Sequence, residues 1–98
     1  MIAVHFHRLA AKELQLARAW YAARDSAVAV RFLQTIDQAV SRILADPDSH
    51  PIDRKYFRRI RVRQFPYVLI FEHLDPERVL IVAVAHTSRR PGYWRRRK

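Results

Sequence analysis

The start of the chain alternates between large apolar residues and small or polar ones. In the stretch "IAVHFH", residues 2–7, every second position is Ile, Val or Phe, and the intervening positions are Ala or His. A period of two places all the large apolar side chains on one face of an extended chain. The pattern therefore predicts a first strand with one buried face.

Two amphipathic helices are predicted after this strand. From Leu9 to about Arg24, apolar residues recur at three- and four-residue steps, which is the period of one helical face. A second apolar stripe begins after Ser26, the predicted N-cap, and stops at "ADPD", where Pro47 does not allow the helix to continue. Only "ARDS" links the two helices, so they are predicted to fold back as an antiparallel hairpin.

Three further strands are predicted after the polar loop "DPDSHPIDRK". In "YFRRIRVRQ" the apolar residues Ile60 and Val62 share one face, which we expect the helices to cover. The opposite, open face then carries Arg59, Arg61 and Arg63. After the turn "QFPY", the apolar runs "YVLIFEHL" and "RVLIVAVAH" are typical of central strands, and "DPE" is the turn between them.

These elements predict an α+β fold with the order β-α-α-β-β-β. An antiparallel helical hairpin packs on one face of a mostly antiparallel four-stranded sheet. With 98 residues, the chain is expected to form one domain, residues 1–98, of which residues 95–98 are a mobile basic end. No stretch has the length of a membrane-spanning helix or the core of a signal peptide, so a cytoplasmic protein is expected.

Positive charge is concentrated in the second half of the chain. Residues 1–50 contain six Lys or Arg against five Asp or Glu, whereas residues 51–98 contain thirteen against four, for a net charge of +10. This asymmetry indicates a polyanionic partner, either nucleic acid or an acidic protein. The alternative is a solvated basic face without a specific partner.

Two groups of residues are candidates for binding such a partner. The first group is Arg59, Arg61 and Arg63 on the open face of the sheet. Their spacing of about 7 Å suits neighbouring phosphates or carboxylates. The other group follows the last strand in "HTSRRPGYWRRRK", where aromatic residues are interleaved with arginines. The predicted target or nucleic-acid binding residues are Arg59, Arg61, Arg63, His86, Arg89, Arg90 and Tyr93.

The same segment contains candidates for catalysis. His86 ends the last strand and can act as a general acid or base, with Arg89 or Arg63 stabilising the charge of an RNA 2′-hydroxyl attack. The alternative for His86 is a hydrogen bond at the strand end. Tyr93 can stack on a base or relay a proton, whereas Trp94 is predicted to fold back onto the core as a latch.

Metal, cofactor and phosphate-loop chemistry are not predicted. His5 and His7 share a strand face but make only half a metal site, and no acidic or histidine cluster completes it. Gly92 is the only glycine, which excludes glycine-rich phosphate loops. There are no cysteines to form disulfides or a thiolate zinc site.

Four stretches in this order resemble the RelE/ParE superfamily of toxins from type II toxin-antitoxin systems. They are "ELQLARAWYAAR", "AVRFLQTIDQAVSRI", "RRIRVRQFPYVLIFE" and "VLIVAVAHTSRRPGYW", and together they cover nearly the whole chain. The resemblance implies a small basic protein that inhibits an essential process. It also implies an acidic antitoxin that binds the toxin in a hetero-oligomer and neutralises it.

The branch of the superfamily is indicated by two positions. In the ribonuclease members an Arg directly follows the opening Tyr of the middle strand, and a basic residue follows the last strand; here those positions hold Val68 and either His86 or Thr87. A Val in that strand and the ending "VAVAH" are similar to ParE-type members, which target DNA gyrase without nuclease chemistry. Against this, "RRPGYW" keeps a Tyr where ribonuclease members often carry a functional one.

Three functions follow, in order of preference. The first is a ParE-like toxin that inhibits DNA gyrase and is not an enzyme. The second is a RelE-like endoribonuclease that cleaves messenger RNA on the ribosome, with His86, Tyr93, Arg63 and Arg89 as its catalytic candidates; Lys55, Arg58 and Arg61 are further sources of charge. The third is a non-toxic basic module that binds nucleic acid, with an affinity that falls steeply with salt.

Overall fold

The computed structural model describes residues 1–97, which form two helices and a five-stranded sheet. In chain order the elements are β1 (Ala3–Phe6), α1 (Arg8–Ala22), α2 (Ser26–Ala45), a 3-10 turn (Pro47–Ser49), β2 (Ile52–Arg54), β3 (Phe57–Val62), β4 (Tyr67–Asp75) and β5 (Arg78–His86). Neither helix within these residues combines the length and apolar character needed to cross a membrane.

The sheet has the strand order β1-β5-β4-β3-β2, in which β1 is parallel to β5 and every other pair is antiparallel. The predicted α+β class is confirmed, but the predicted number of four strands is wrong. The missed strand, β2, has only three residues, Ile52–Arg54, and lies within the stretch predicted as a loop. Three residues are too few to show an alternating pattern, so the sequence contained no strand signal there.

Both helices begin at a side-chain cap. His7 Nδ1 accepts a hydrogen bond from the Leu9 N–H at 3.0 Å and caps α1. The cap of α2 is Asp25 rather than the predicted Ser26, because Asp25 has an extended backbone and its Oδ1 accepts from the Ala27 N–H at 2.9 Å. Ser26 is already the first helical residue. The predicted start was therefore wrong by one position.

The main core lies between the helices and one face of the sheet. Phe32 is fully buried, and its ring centroid lies 5.1 Å from that of Tyr21 on α1 and 5.1 Å from that of Phe65 in the β3–β4 turn. Ile60 and Val62 of β3 are buried in the same cluster. The prediction that the helices cover the Ile60 and Val62 face is therefore confirmed.

A β-bulge in β5 changes which residues face the helices. The β4–β5 register runs from Phe71 opposite Ile81 to Ile70 opposite Ala83, which leaves Val82 as an extra residue on β5. Beyond the bulge the even-numbered residues face the helices, and Val84 belongs to the main core. The bulge thus turns the end of β5, including His86, towards α1.

The second face of the sheet is partly covered by the C-terminal segment, residues 87–97. Trp94 is only 2% exposed, and its ring lies 4.9 Å from that of Phe57 in an edge-to-face arrangement. It packs with Val68, Ile70 and other residues of that face. The predicted Trp94 latch is confirmed, and the expectation of a fully open second face is corrected.

The outer edge of β5 is only partly paired. The partner strand β1 has four residues and reaches only to Ile81, which lies opposite Phe6. Beyond that point, side chains replace the missing strand: Arg97 donates to the Val82 carbonyl at 2.9 Å, and the Val84 N–H donates to a carboxylate oxygen of Glu13 at 3.0 Å. Polar backbone groups at this edge are thereby satisfied.

Candidate functional site: the C-terminal segment and two clefts

Glu13 of α1 is the centre of a hydrogen-bond network that holds the C-terminal segment. The Tyr93 hydroxyl donates to Glu13 Oε2 at 2.6 Å, and Arg97 donates to both carboxylate oxygens at 2.8 Å. The fourth donor is the Val84 N–H. We call these four residues the C-terminal network. A bidentate Arg–carboxylate pair with two further donors is among the stronger polar arrangements in proteins.

The protonation states of this network follow from its contacts. Burial raises the pKa of Glu13, but hydrogen bonds from Arg97, Tyr93 and Val84 outweigh that effect and hold the pKa below its ordinary value. Burial, followed by the hydrogen bond to Glu13, raises the pKa of Tyr93 far above its ordinary range. The hydrogen bond to Glu13 also raises the pKa of Arg97, against the effect of burial. At neutral pH, Glu13 is therefore ionised, and the Tyr93 phenol is neutral and donates to it.

Arg97 gives residues 95–97 a structural contact that the expectation of a mobile basic end did not include. Its side chain is 11% exposed in the ion pair with Glu13. Arg95 and Arg96 are exposed, although Arg95 donates to the Gly92 carbonyl at 3.0 Å. Lys98, the last residue of that predicted end, lies outside the described residues.

Arg89 is stacked on Tyr93, whose hydroxyl donates to Glu13. Its guanidinium carbon lies 3.9 Å from the centroid of the Tyr93 ring. The Arg89 side chain is exposed, and it forms no hydrogen bond or ion pair with any residue from 1 to 97. Its charge is therefore available to a ligand, whereas its position is set by the ring beneath it.

His86 has a defined tautomer. Its Nδ1 accepts a hydrogen bond from the Ser88 backbone N–H at 3.0 Å, and the Ser88 hydroxyl lies 2.8 Å from the same nitrogen. Because a backbone N–H can only donate, Nδ1 is the acceptor, and the proton of the neutral ring is on Nε2. In this state Nε2 can donate but cannot take a proton from a hydroxyl. The geometry corresponds to the alternative in which His86 hydrogen-bonds the strand end.

Two clefts meet at His86 and Arg89, which line both. The first, which we call the helix cleft, lies between α1 and the end of β5 and has a volume of about 450 Å³. Its walls are mostly apolar and include the exposed side chains of Leu16 and Trp20. The second, which we call the sheet cleft, has a volume of about 140 Å³ and lies between the sheet and residues 87–94.

The structure brings together five of the seven residues predicted to bind a target. The sheet cleft is lined by Arg59, His86, Arg89, Arg90 and Tyr93. It also contains an acidic residue from the strand that was not predicted: Asp53 of β2 lies 3.7 Å from the Arg59 guanidinium. The predicted arginine face is thus partly neutralised at Arg59.

The other two predicted residues, Arg61 and Arg63, lie outside both clefts. Arg61 is exposed and directly opposite Val68. The prediction that Arg63 shares the strand face is wrong because β3 ends at Val62. Burial and then the positive charge of Arg63 lower the pKa of Arg42 on α2.

Of the further sources of charge considered above, Arg58 and Lys55 have structural roles. Arg58 donates to the His50 carbonyl at 2.8 Å, and Lys55 occupies the left-handed region with φ of 51° in the turn before β3. Sequence reasoning did not identify Glu13. The only signal was that Glu13 is the sole acidic residue of α1, in a strongly basic chain.

The fold and the basic edge of this site define a class of protein. The chain has a helical hairpin on a mostly antiparallel sheet, an arginine-rich strand and a basic segment after the last strand, as the resemblance to the RelE/ParE superfamily led us to expect. The family model for "ParE toxin of type II toxin-antitoxin system, parDE" matches residues 4–91. The chain therefore belongs to the ParE toxin family, and the prediction of a ParE-like branch is confirmed.

A solved structure has the same fold. A chain described as "Chromosomal ParDE TA system from P. aeruginosa" superimposes with a TM-score of 0.73 and 17% sequence identity, covering 88% of this chain and 96% of that chain. At this identity the likeness concerns the fold alone. No curated protein matches the chain significantly.

Proposed function

We propose that this protein is a cytoplasmic toxin that binds and inhibits DNA gyrase without nuclease chemistry, and that an acidic antitoxin neutralises it. The observation that carries the proposal is that both side chains considered for acid–base chemistry are engaged in other contacts. The Tyr93 hydroxyl donates to Glu13, and His86 Nδ1 accepts from Ser88. Neither presents a free base to a ribose hydroxyl.

The remaining ribonuclease candidates do not converge either. Val62, Tyr67 and His86 lie in one row across β3, β4 and β5, so Val62 is two strand spacings, or about 10 Å, from the His86 position, and Arg63 follows Val62 in the turn beyond β3. Val68, where ribonuclease members carry an Arg, is 6% exposed and packs against the second face. These observations favour binding over RNA cleavage.

The charge distribution supports an acidic partner. Arg89, Arg90 and Arg96 are all exposed in the C-terminal segment, and none forms an ion pair with a residue of 1–97. So many neighbouring cations repel one another until a polyanion neutralises them. An acidic antitoxin is such a partner, and membership of a ParDE family supports its existence.

The proposal is tested by expressing the protein in bacteria and following two readouts. Plasmid DNA from arrested cells is expected to become relaxed, as seen by chloroquine gel electrophoresis, because gyrase no longer introduces supercoils. Primer extension on translated messages is expected to show no new ends. New ends that appear with the wild type and vanish with His86→Ala or Tyr93→Phe would instead establish the ribonuclease alternative.

A further inference from the structure

We propose that Arg89 is the carboxylate-binding residue of a docking site for an acidic protein segment, which also places one large apolar side chain in the helix cleft. The inference rests on the proposed function only for the source of the segment, which is the antitoxin. Binding by the purified protein can be measured separately from gyrase inhibition, so the two can fail independently.

Arg89 is presented to solvent in a fixed orientation. Its backbone N–H donates to the His86 carbonyl at 3.0 Å, which ties it to the end of β5. Its guanidinium carbon lies over the Tyr93 ring, 3.9 Å from the ring centroid, which is within the range of a cation–π contact. Its side-chain N–H donors form no hydrogen bond with residues 1–97 and can therefore bind the two oxygens of a carboxylate.

Glu13 positions Arg89 without neutralising it. The carboxylate of Glu13 accepts from the Tyr93 hydroxyl at 2.6 Å and so fixes the ring on which Arg89 stacks. Its charge is matched by the bidentate pair with Arg97. The network therefore supplies a rigid platform while the charge of Arg89 has no partner within residues 1–97. Such preorganisation reduces the entropy that binding must otherwise overcome.

The apolar half of the site is on α1, next to Arg89. Leu16 and Trp20 are one helical turn apart and are 61% and 54% exposed, although both are large apolar residues. They line the helix cleft together with Tyr67 and Arg89. A cluster of exposed apolar side chains bordered by charge is typical of a protein-binding surface.

The observations favour a protein segment over nucleic acid. Arg89 is the only Lys or Arg among the described residues lining the helix cleft, whereas a nucleic acid strand requires a succession of cations along its backbone. Trp20 is also a poor platform for a base, because the Arg24 guanidinium lies 3.5 Å from its ring centroid and covers one face. One carboxylate beside one apolar side chain matches this cleft better.

The test uses the full chain and three probes: a short synthetic peptide with one Phe flanked by Glu residues, the same peptide with Gln in place of Glu, and a single-stranded oligonucleotide. Binding is followed by the change in tryptophan emission, which is expected to come from the exposed Trp20, since the emission of Trp94, only 2% exposed, responds less to a ligand at the surface. The acidic peptide is expected to bind at low salt, and Arg89→Gln is expected to weaken it by about tenfold. Arg96→Gln, an exposed charge in the same segment, is expected to change the affinity by less than about twofold.

Three further variants separate the apolar and positioning roles. Leu16→Gln is expected to weaken binding of the acidic peptide severalfold. Val30→Gln is its control, because Val30 is an apolar side chain on α2 that is 57% exposed, and it is expected to leave the binding unchanged. Tyr93→Phe keeps the stacking ring but removes its bond to Glu13. It is expected to weaken binding of the acidic peptide more than binding of the Gln peptide.

The proposal is overturned by any of four results: no binding of the acidic peptide to the wild type, equal binding of the Glu and Gln peptides, equal losses in Arg89→Gln and Arg96→Gln, or equal losses in Leu16→Gln and Val30→Gln. An Arg89-dependent loss that appears with the oligonucleotide and not with the acidic peptide also overturns it, and identifies a nucleic acid site instead.

Discussion

Replacing Glu13 with Gln removes the charge at the centre of the C-terminal network while keeping the side-chain shape. The Gln amide has one acceptor oxygen where the carboxylate has two, so it cannot accept from Arg97, Tyr93 and Val84 together. Arg97 is then left in a nearly buried position, 11% exposed, without its counter-charge.

The expected cost follows from this burial. Removing one partner of a buried ion pair costs about 3–5 kcal/mol, and the lower end, about 3 kcal/mol, applies here because both side chains keep some contact with water. Against a total stability of about 5–15 kcal/mol, this is a large loss, equivalent to about 15 °C in the melting temperature of a domain of this size.

The assay is urea unfolding of Glu13→Gln, with Asp37→Asn as the matched control. Asp37 is an exposed carboxylate on α2 whose side chain forms no hydrogen bond or ion pair with residues 1–97, so its removal changes the net charge equally but is expected to cost little. Amide exchange supplies a local readout, because the Val84 N–H then competes with Tyr93 and Arg97 for one acceptor oxygen and is expected to exchange faster. A Glu13→Gln variant as stable as Asp37→Asn, with unchanged Val84 exchange, would refute the structural role of the network.

Three further predictions follow from the same structure. Because the pKa of Glu13 is lowered in the folded state, the stability that ionised Glu13 contributes is fully present above pH 4.5, the ordinary pKa, and is lost as the pH falls through the lowered pKa. The difference in stability between the wild type and Glu13→Gln, measured by urea unfolding, is therefore expected to close at acid pH. Asp25→Ala is expected to lower stability by about 1 kcal/mol in urea unfolding and Ser26→Ala by measurably less, and the reverse order would contradict the cap. Gly92→Ala is expected to lower the free energy of unfolding by at least about 1 kcal/mol, because Gly92 has φ of 75°. Most of this loss is expected to remain in an Arg54→Ala background, which removes the side chain nearest to the new Cβ. If the loss disappears there, crowding rather than φ is responsible.

The helices could be predicted because their apolar residues follow one clear period, and the two long strands because each is a nearly continuous apolar run bounded by turn residues. The strand β2 could not be, because three residues carry no period. The sequence also could not predict which residues of β5 face the helices. The strand is apolar on both faces, so the bulge at Val82 does not change its sequence pattern. His86 was singled out from the sequence, but its hydrogen bond to Ser88 is visible only in the structure.

The basic character of the site could be predicted, whereas the residue that organises it could not. Glu13 and Arg97 are 84 positions apart, and no local pattern relates an acid on the first helix to an arginine near the chain end. The same holds for Asp53, which lies beside Arg59 only because β2 pairs with β3. Long-range pairs of this kind depend on the fold, and a single sequence does not reveal them.

The most direct test of the central claim is an in vitro supercoiling assay with purified gyrase, relaxed plasmid and increasing amounts of this protein. We expect supercoiling to be inhibited in a dose-dependent manner by the wild type. We also expect inhibition by His86→Ala, because the proposed mechanism needs no acid–base chemistry at that residue. Full supercoiling at saturating wild-type protein would contradict the account.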